Sequence, residues 1–234
     1  MQPNFQTPNL QSLGATQGIA QIQNRVLRNT YMLLAASMVP TVLGALLGVQ
    51  FNFSFMATNP MMGFLLFMGI AMAFMFGIQK TKDSGMGVVL LLGFTFFMGL
   101  MLSNILRVAL GFSNGGMLIS MAAGGTGAVF FTMAGIGSNS QRDFSGLGKF
   151  LFAGVILLLV AMLANIFLHI PALALAVSAI AVLIFSAYIM YDINRIVRGG
   201  ETNYITATLA VYLDVYNVFV NLLSLLMMFS GRRD

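Results

Sequence analysis

The sequence predicts an all-α integral membrane protein with seven transmembrane helices. Three observations carry this. Of 234 residues, 59% are hydrophobic and 7% charged, where a soluble domain carries roughly 25% charged residues. Mean hydropathy is +0.91. The charges also divide the chain into continuous apolar stretches of about 20 residues, the length a helix needs to cross the hydrocarbon core. Barrel strands would instead alternate apolar and polar over about ten residues.

The spans follow from the charge-free gaps. No charge lies between Arg28 and Lys80, which leaves room for two spans. They run from about Asn29 to Val49 and from about Met61 to Gln79, broken at Asn52-Phe53-Ser54 through Asn59-Pro60. Lys80, Lys82 and Asp83 close the second. The third runs from about Met86 to Leu106, ended by Arg107, and the fourth from about Met117 to Gly135. A polar link, Ser138 to Asp143, precedes the fifth, about Phe150 to Leu168. Proline disfavours helix in the residue before it, so His169-Ile170-Pro171 marks a tight turn. The sixth span runs from about Ala172 to Arg198, with Gly199-Gly200 as its C-cap signal, and the seventh from about Asn203 to Phe229. Residues 1–24 are uncharged, rich in Gln and Asn, and lack the apolar stretch of a signal peptide. They are predicted to be a disordered tail before a single transmembrane domain, residues 25–234; Thr16 to Arg28 as a short interfacial helix is the alternative.

Orientation follows from Lys and Arg, which concentrate on the cytoplasmic side. Arg25, Arg28, Lys80, Lys82, Arg142, Lys149, Arg195 and Arg198 fall on one side, and Arg107, Arg232 and Arg233 on the other. The N-terminus is therefore expected to be cytoplasmic and the C-terminus outside. A re-entrant last segment would bring Arg232-Arg233 back in. The net charge of +5 is thus a topology signal, not a nucleic-acid footprint, and no nucleic-acid partner is expected; the surrounding lipid is.

Asp214 is the most informative residue. It is the only charge from Thr202 to Gly231. An acid at the bilayer centre costs about 2.5–3.5 kcal/mol even on the lenient insertion scale. Ala210, Asp214, Asn217, Asn221 and Ser224 recur at helical spacing and form one small, polar face. Such a face either lines an aqueous path or joins helices. Interhelical polar contacts average only about 0.6 kcal/mol, a poor reason to bear an aspartate's cost. Asp192, on the sixth span, is the second acid. By helical rise, Asp192 lies about 10 Å and Asp214 about 18 Å from the intervening turn, so tilted helices would let them meet. Close carboxylates share a proton and titrate as a pair, which makes them a pH sensor, a cation contact, or both. Asp192 could alternatively bond Arg195 or Arg198.

Three segments resemble the Bax inhibitor-1 family in its bacterial branch: Arg142-Asp143-Phe144-Ser145-Gly146, Ser186-Ala187-Tyr188 running into Tyr191-Asp192, and Leu209-Ala210-Val211-Tyr212-Leu213-Asp214-Val215-Tyr216-Asn217. The tyrosine-leucine-aspartate segment followed by asparagine is the most specific. The resemblance implies seven helices, with the last central and wrapped by six. It also implies a pH-sensitive calcium leak whose sensor is an aspartate pair on helices six and seven, matching Asp192 and Asp214, which would also contact the ion. Some members latch the sensor with a basic residue on helix two; Lys80 and Lys82 lie only at that helix's end, and Arg195 is the other basic neighbour. A bacterial relative restrains a membrane AAA protease as a poorly degraded substrate.

Other polar positions are weaker. Thr95, Gly99 and Ser103 share a face of span three, beside Asn104, and either line a path or let helices approach. Asn165 reads as a buried hydrogen-bonding residue. Glycine-rich Ala122 to Gly127 lacks the Gly-Lys-Ser/Thr of a phosphate loop and reads as close packing. Gly111 to Gly115 matches G-x-S-x-G only in letters, without the strand–turn–helix elbow that motif needs. The nineteen methionines are scattered and read as soft packing. Without cysteine there is no disulfide or thiol chemistry. Neither enzymatic activity nor a cofactor is expected. The leading expectation is a pH-sensitive cation (calcium) leak gated by Asp192 and Asp214, with Asn217, Asn221, Ser224, Thr95 and Ser103 lining the path. The alternative is an interaction protein that modulates a membrane AAA protease, with the polar tail as its handle.

Overall fold

The computed structural model describes residues 10–51, 60–139 and 141–231, with side chains from residue 21 in the first segment and 62 in the second. It holds α1 (Leu10–Gln50), α2 (Pro60–Thr81), α3 (Gly85–Leu110), α4 (Gly115–Gly137), α5 (Leu147–Leu168), α6 (Pro171–Val197) and α7 (Tyr204–Ser230). Seven helices are long and apolar enough to cross a membrane. The expected break between spans one and two falls partly on residues 52–59, outside the described residues.

Helix α1 differs from expectation. It is helical from Leu10, and its membrane-length apolar part runs Gln21–Gln50. The expected tail at 1–24 therefore enters helix by Leu10, while residues 1–9 lie outside the described residues. The physical reason is composition: Gln, Ala and Leu are good helix formers, and no proline interrupts residues 10–24. The continuous helix takes in Thr16 to Arg28.

The other boundaries follow local chemistry. His169 takes a left-handed conformation, φ 50°, where α5 stops. Pro171 then opens α6 at the position where its missing N–H is harmless. Gly199 has φ 78°. Its N–H donates to Ile196 O at 3.0 Å, and the Gly200 N–H to Arg195 O at 2.8 Å, the bonding of a Schellman end. Asn203 caps α7, accepting from the backbone N–H of Ile205 (2.9 Å) and Thr206 (3.2 Å).

Packing is closest between α1 and α3. A Cβ on Gly44 would sit 2.2 Å from Phe96 O, one on Gly99 2.1 Å from Thr41 O, and one on Gly48 2.5 Å from Ser103 Oγ. Gly44 and Gly48 on α1, and Gly99 and Ser103 on α3, therefore form a small-residue seam of the kind that lets membrane helices approach. Helix α7 packs against α6, α4, α1, α3 and, at a few positions, α2. Helix α5 packs on α6 alone and does not reach α7, so the last helix is not wrapped by all six. Only Leu151 and Leu158 are buried on α5. Its apolar sequence has little polar surface to hide, and lipid suits it as well as protein does. Leu91, Phe94, Ile189, Ile193, Val211, Tyr212 and Val218 form the centre of the core, where α7 packs against both α3 and α6.

Candidate functional site

Asp192 and Asp214 come together. Both are buried, 9% and 6% exposed, and their carboxyl groups lie within hydrogen-bonding reach of each other between α6 and α7. Asp214 Oδ2 is buried and has no hydrogen-bond partner. An acceptor-only atom facing a second carboxyl is satisfied when a proton lies between them. Arg195 and Glu201 lie close enough to Asp192 to bias its charge, and Tyr188 lies near both acids. Tyr188 and Asp192 are one turn apart on α6 and share a face. The alternative ion pairs of Asp192 are not what the basic residues form: Arg195 pairs with Glu201 at 3.4 Å and Arg198 with Asp143 at 3.1 Å.

The side chains expected to line a path turn back on their own helices. Asn217 Nδ2 donates to Leu213 O (2.8 Å), Asn221 Nδ2 to Asn217 O (2.8 Å) and Ser224 Oγ to Val220 O (2.9 Å). Thr95 donates to Leu92 O (3.0 Å) and Ser103 to Leu100 O (2.6 Å). None of the five lines either of the two cavities described here. Of the basic residues considered as a latch, Lys80 lies 4.8 Å above the Phe76 ring, and Lys82 uses its carbonyl to accept from Asn203. Arg195 is the one near the pair. Among the described residues no three His, Asp or Glu side chains cluster to hold a metal. Asn165 accepts from the Ile170 N–H at 3.0 Å and fastens the α5–α6 turn.

Sequence reasoning missed the frame around the pair. Asn194, 2% exposed, donates from Nδ2 to the carbonyls of Gly137 (3.0 Å), Asn139 (3.3 Å) and Arg142 (3.0 Å), and accepts from the Phe144 N–H (3.3 Å). It thereby fastens the α4–α5 link two residues past Asp192. Asp143 completes the tie, accepting from the Ser145 N–H at 2.9 Å and pairing with Arg198. The Ser145 N–H and hydroxyl, with Arg198 beyond them, hold the Asp143 carboxyl below the usual carboxylate range. A lowered carboxyl stabilises above its unfolded pKa and stops doing so as pH falls through its folded one, so this tie does not change near neutrality. Asn203 Nδ2 reaches Lys82 O and Asp83 Oδ1, both at 2.9 Å. The α2–α3, α4–α5 and α6–α7 links are thus joined at one end of the bundle. A polar cavity of about 240 Å³ opens there, lined by Asp143, Tyr191, Asn194, Arg195 and Arg198 among others. A polar residue two positions from a membrane acid was the available signal for Asn194.

Replacing Asn194 by alanine takes this donor from the Gly137 and Arg142 carbonyls, while Asn139 O keeps the Arg142 N–H; the buried Gly137 carbonyl left unsatisfied costs about 1–3 kcal/mol. The expected result is faster tryptic cleavage after Arg142 in otherwise folded protein, measured by limited proteolysis. Cleavage at the wild-type rate would mean that the link is held by other contacts.

Known proteins supply the family. The family model described as Inhibitor of apoptosis-promoting Bax1 matches residues 23–231. The protein named Modulator of FtsH protease YccA, from Escherichia coli strain K12, is 39% identical over 203 residues, covering 87% of this chain and 90% of the relative. An uncharacterized protein of Neisseria meningitidis serogroup A is 39% identical over 215 residues, covering 89% and 93%. An uncharacterized membrane protein of Vibrio cholerae is 37% identical over 203 residues, covering 87% and 89%. With a model spanning nearly the whole membrane region and relatives matched almost end to end, the chain belongs to the Bax inhibitor-1 family.

Proposed function

We propose that this chain is an inner-membrane modulator of a membrane AAA protease of the FtsH type. The observation that carries this reading is its near end-to-end similarity to a protein named for that activity. The fold gives a physical rationale. Helix α1 begins at Leu10, before its membrane-length part Gln21–Gln50, and this uncharged arm is the segment we assign as the handle for a machine that pulls on the chain. The excess of eight Lys and Arg at the joined-link end supports a cytoplasmic position for that arm. Pulling loads α1 directly, and α1 is the helix locked to α3 by the glycine seam. Thr41 on α1 is also bonded to the Tyr212 hydroxyl at 2.8 Å. A chain that is gripped but resists extraction occupies the protease without being consumed.

Deleting residues 1–20 removes the arm and spares Gln23, which lies against Gly199. In cells, the full chain is expected to slow turnover of a membrane substrate of the protease several-fold, and the truncated chain to have lost that effect. Equal slowing by both, at matched levels in the membrane, would end this reading.

A second reading, the pH-sensitive cation leak, is favoured by one observation: the facing, buried carboxyls of Asp192 and Asp214. In it, a proton shared between the two acids holds α6 and α7 together. Two carboxyls offer at most four oxygens where calcium takes 6–8, so calcium passing the pair keeps part of its water shell. Calcium entry into dye-loaded liposomes tests it. The expected result is a leak that varies with pH; no leak at any pH in folded protein would remove the reading.

A further inference from the structure

A second, apolar cavity differs in character from the carboxyl pair. It measures about 1090 Å³ and lies between α1 and α4, floored by α7 and the end of α3. The two walls do not pack along their lengths. They meet at one end, where Tyr31 stands edge-on to Phe130 with centroids 6.1 Å apart and reaches the Ser138 hydroxyl. From there the lining of α1 runs to Val49, about 27 Å by helical rise, close to the thickness of the hydrocarbon core. The rim opens sideways: Val42 is 56% and Phe131 76% exposed.

The chemistry of the walls selects the guest. No charged side chain lines the cavity. The hydroxyls that do are already bonded. Thr41 and Tyr212 bond each other, Thr126 donates to Ala122 O, Ser138 to Ala134 O, and Tyr216 to Met98 O. With these donors taken, water or a sugar would find few partners there, and an apolar cavity without them stays dry. A whole helix of about 10 Å diameter and this length needs roughly 2,000 Å³, about twice the space present, whereas slender hydrocarbon chains fit. Beyond the Tyr31–Ser138 end, Arg28 and Arg25 lie about 60° and about 120° around α1 from Tyr31, and both are exposed. Two cations stand where a headgroup would lie, at the end of an apolar slot.

We propose that the α1–α4 cavity is a binding site for the acyl chains of an anionic phospholipid from the surrounding bilayer, with Arg25 and Arg28 holding the headgroup. The inference does not depend on which functional reading holds. Gly127 and Gly135 provide a clean way to close the site. Both line the cavity, and a Cβ at either meets nothing within 4 Å, so leucine there fills the slot without displacing the fold.

The test uses the full chain in nanodiscs of equal phosphatidylglycerol and phosphatidylcholine, transferred to mild detergent and examined by native mass spectrometry. Wild type is expected to retain a phospholipid with phosphatidylglycerol strongly preferred. The double variant Arg25→Gln/Arg28→Gln should keep retention but lose the preference, by about fivefold per arginine. The Gly127→Leu/Gly135→Leu variant, with unchanged melting, should lose most of the bound lipid. Four outcomes overturn the proposal: equal retention by the filled variant, unchanged headgroup preference without the arginines, retention only of free fatty acid, or no retained lipid in wild type. The last would leave the slot to a partner protein.

Discussion

On the cation-leak reading, Asp214→Asn is expected to flatten the pH profile of flux between about pH 5 and about pH 8, with the protein still folded. Asparagine keeps the size and much of the hydrogen bonding of aspartate but cannot ionise. If helix position depends on the proton shared with Asp192, a one-unit difference in proton affinity between two positions is worth about 1.4 kcal/mol, or about tenfold in their populations. Wild-type flux should therefore vary about tenfold and the variant by much less. Asp192→Asn should act in the same way, because the pair titrates as a unit. The charged neighbours, Arg195 and Glu201, and the nearby Tyr188 are left unchanged. Asp143→Asn is the control: it removes the ion pair with Arg198, but that carboxyl sits below the usual range and stays charged across the tested interval. Its profile should match wild type. A steep profile retained by both Asp214→Asn and Asp192→Asn would sink the paired-carboxyl gate and reduce the two acids to a structural contact.

What was legible in the sequence was set by the cost of charge in lipid. That cost placed several helix ends, because Lys80, Arg107 and Arg198 must lie near them, though not the start of α1 at Leu10, and it marked Asp214 as unusual before any neighbour was known. The meeting of Asp192 with Asp214 required tilt and rotation, which depend on packing and not on composition. The expected pore lining shows the limit of periodicity. Asn217, Asn221 and Ser224 do share a face, but a side chain one turn from a backbone carbonyl satisfies itself there and need not line anything. The ties made by Asn194 and Asn203 were hidden for the opposite reason: their partners across the bundle lie fifty or more residues away. Gly99 was readable only as a small residue. Its partner, the backbone of Thr41, appears only when α1 and α3 are laid together.

That contact carries the largest expected effect on stability. In Gly99→Ala the new Cβ would lie 2.1 Å from Thr41 O and 3.0 Å from Ala45 N. Both are backbone atoms, which no rotamer change can move aside. The helices must separate, which loosens the seam and pulls Thr41 from the Tyr212 hydroxyl. Overpacking a well-fitted core costs about 1–3 kcal/mol when side chains can yield, and here they cannot, so a loss of about 3 kcal/mol or more is expected. Gly44→Ala meets Phe96 O at 2.2 Å and should cost as much. The double variant should cost less than the sum, since either change opens the same seam. Gly69→Ala on α2 meets nothing within 4 Å and should stay within about 0.5 kcal/mol. Thermal melting in detergent checks all four. If α1 is also the helix through which the chain resists extraction, the seam variants should become degradable in cells while Gly69→Ala persists. Wild-type melting of Gly99→Ala would show that α1 and α3 do not cross at this distance and would remove the basis for that resistance.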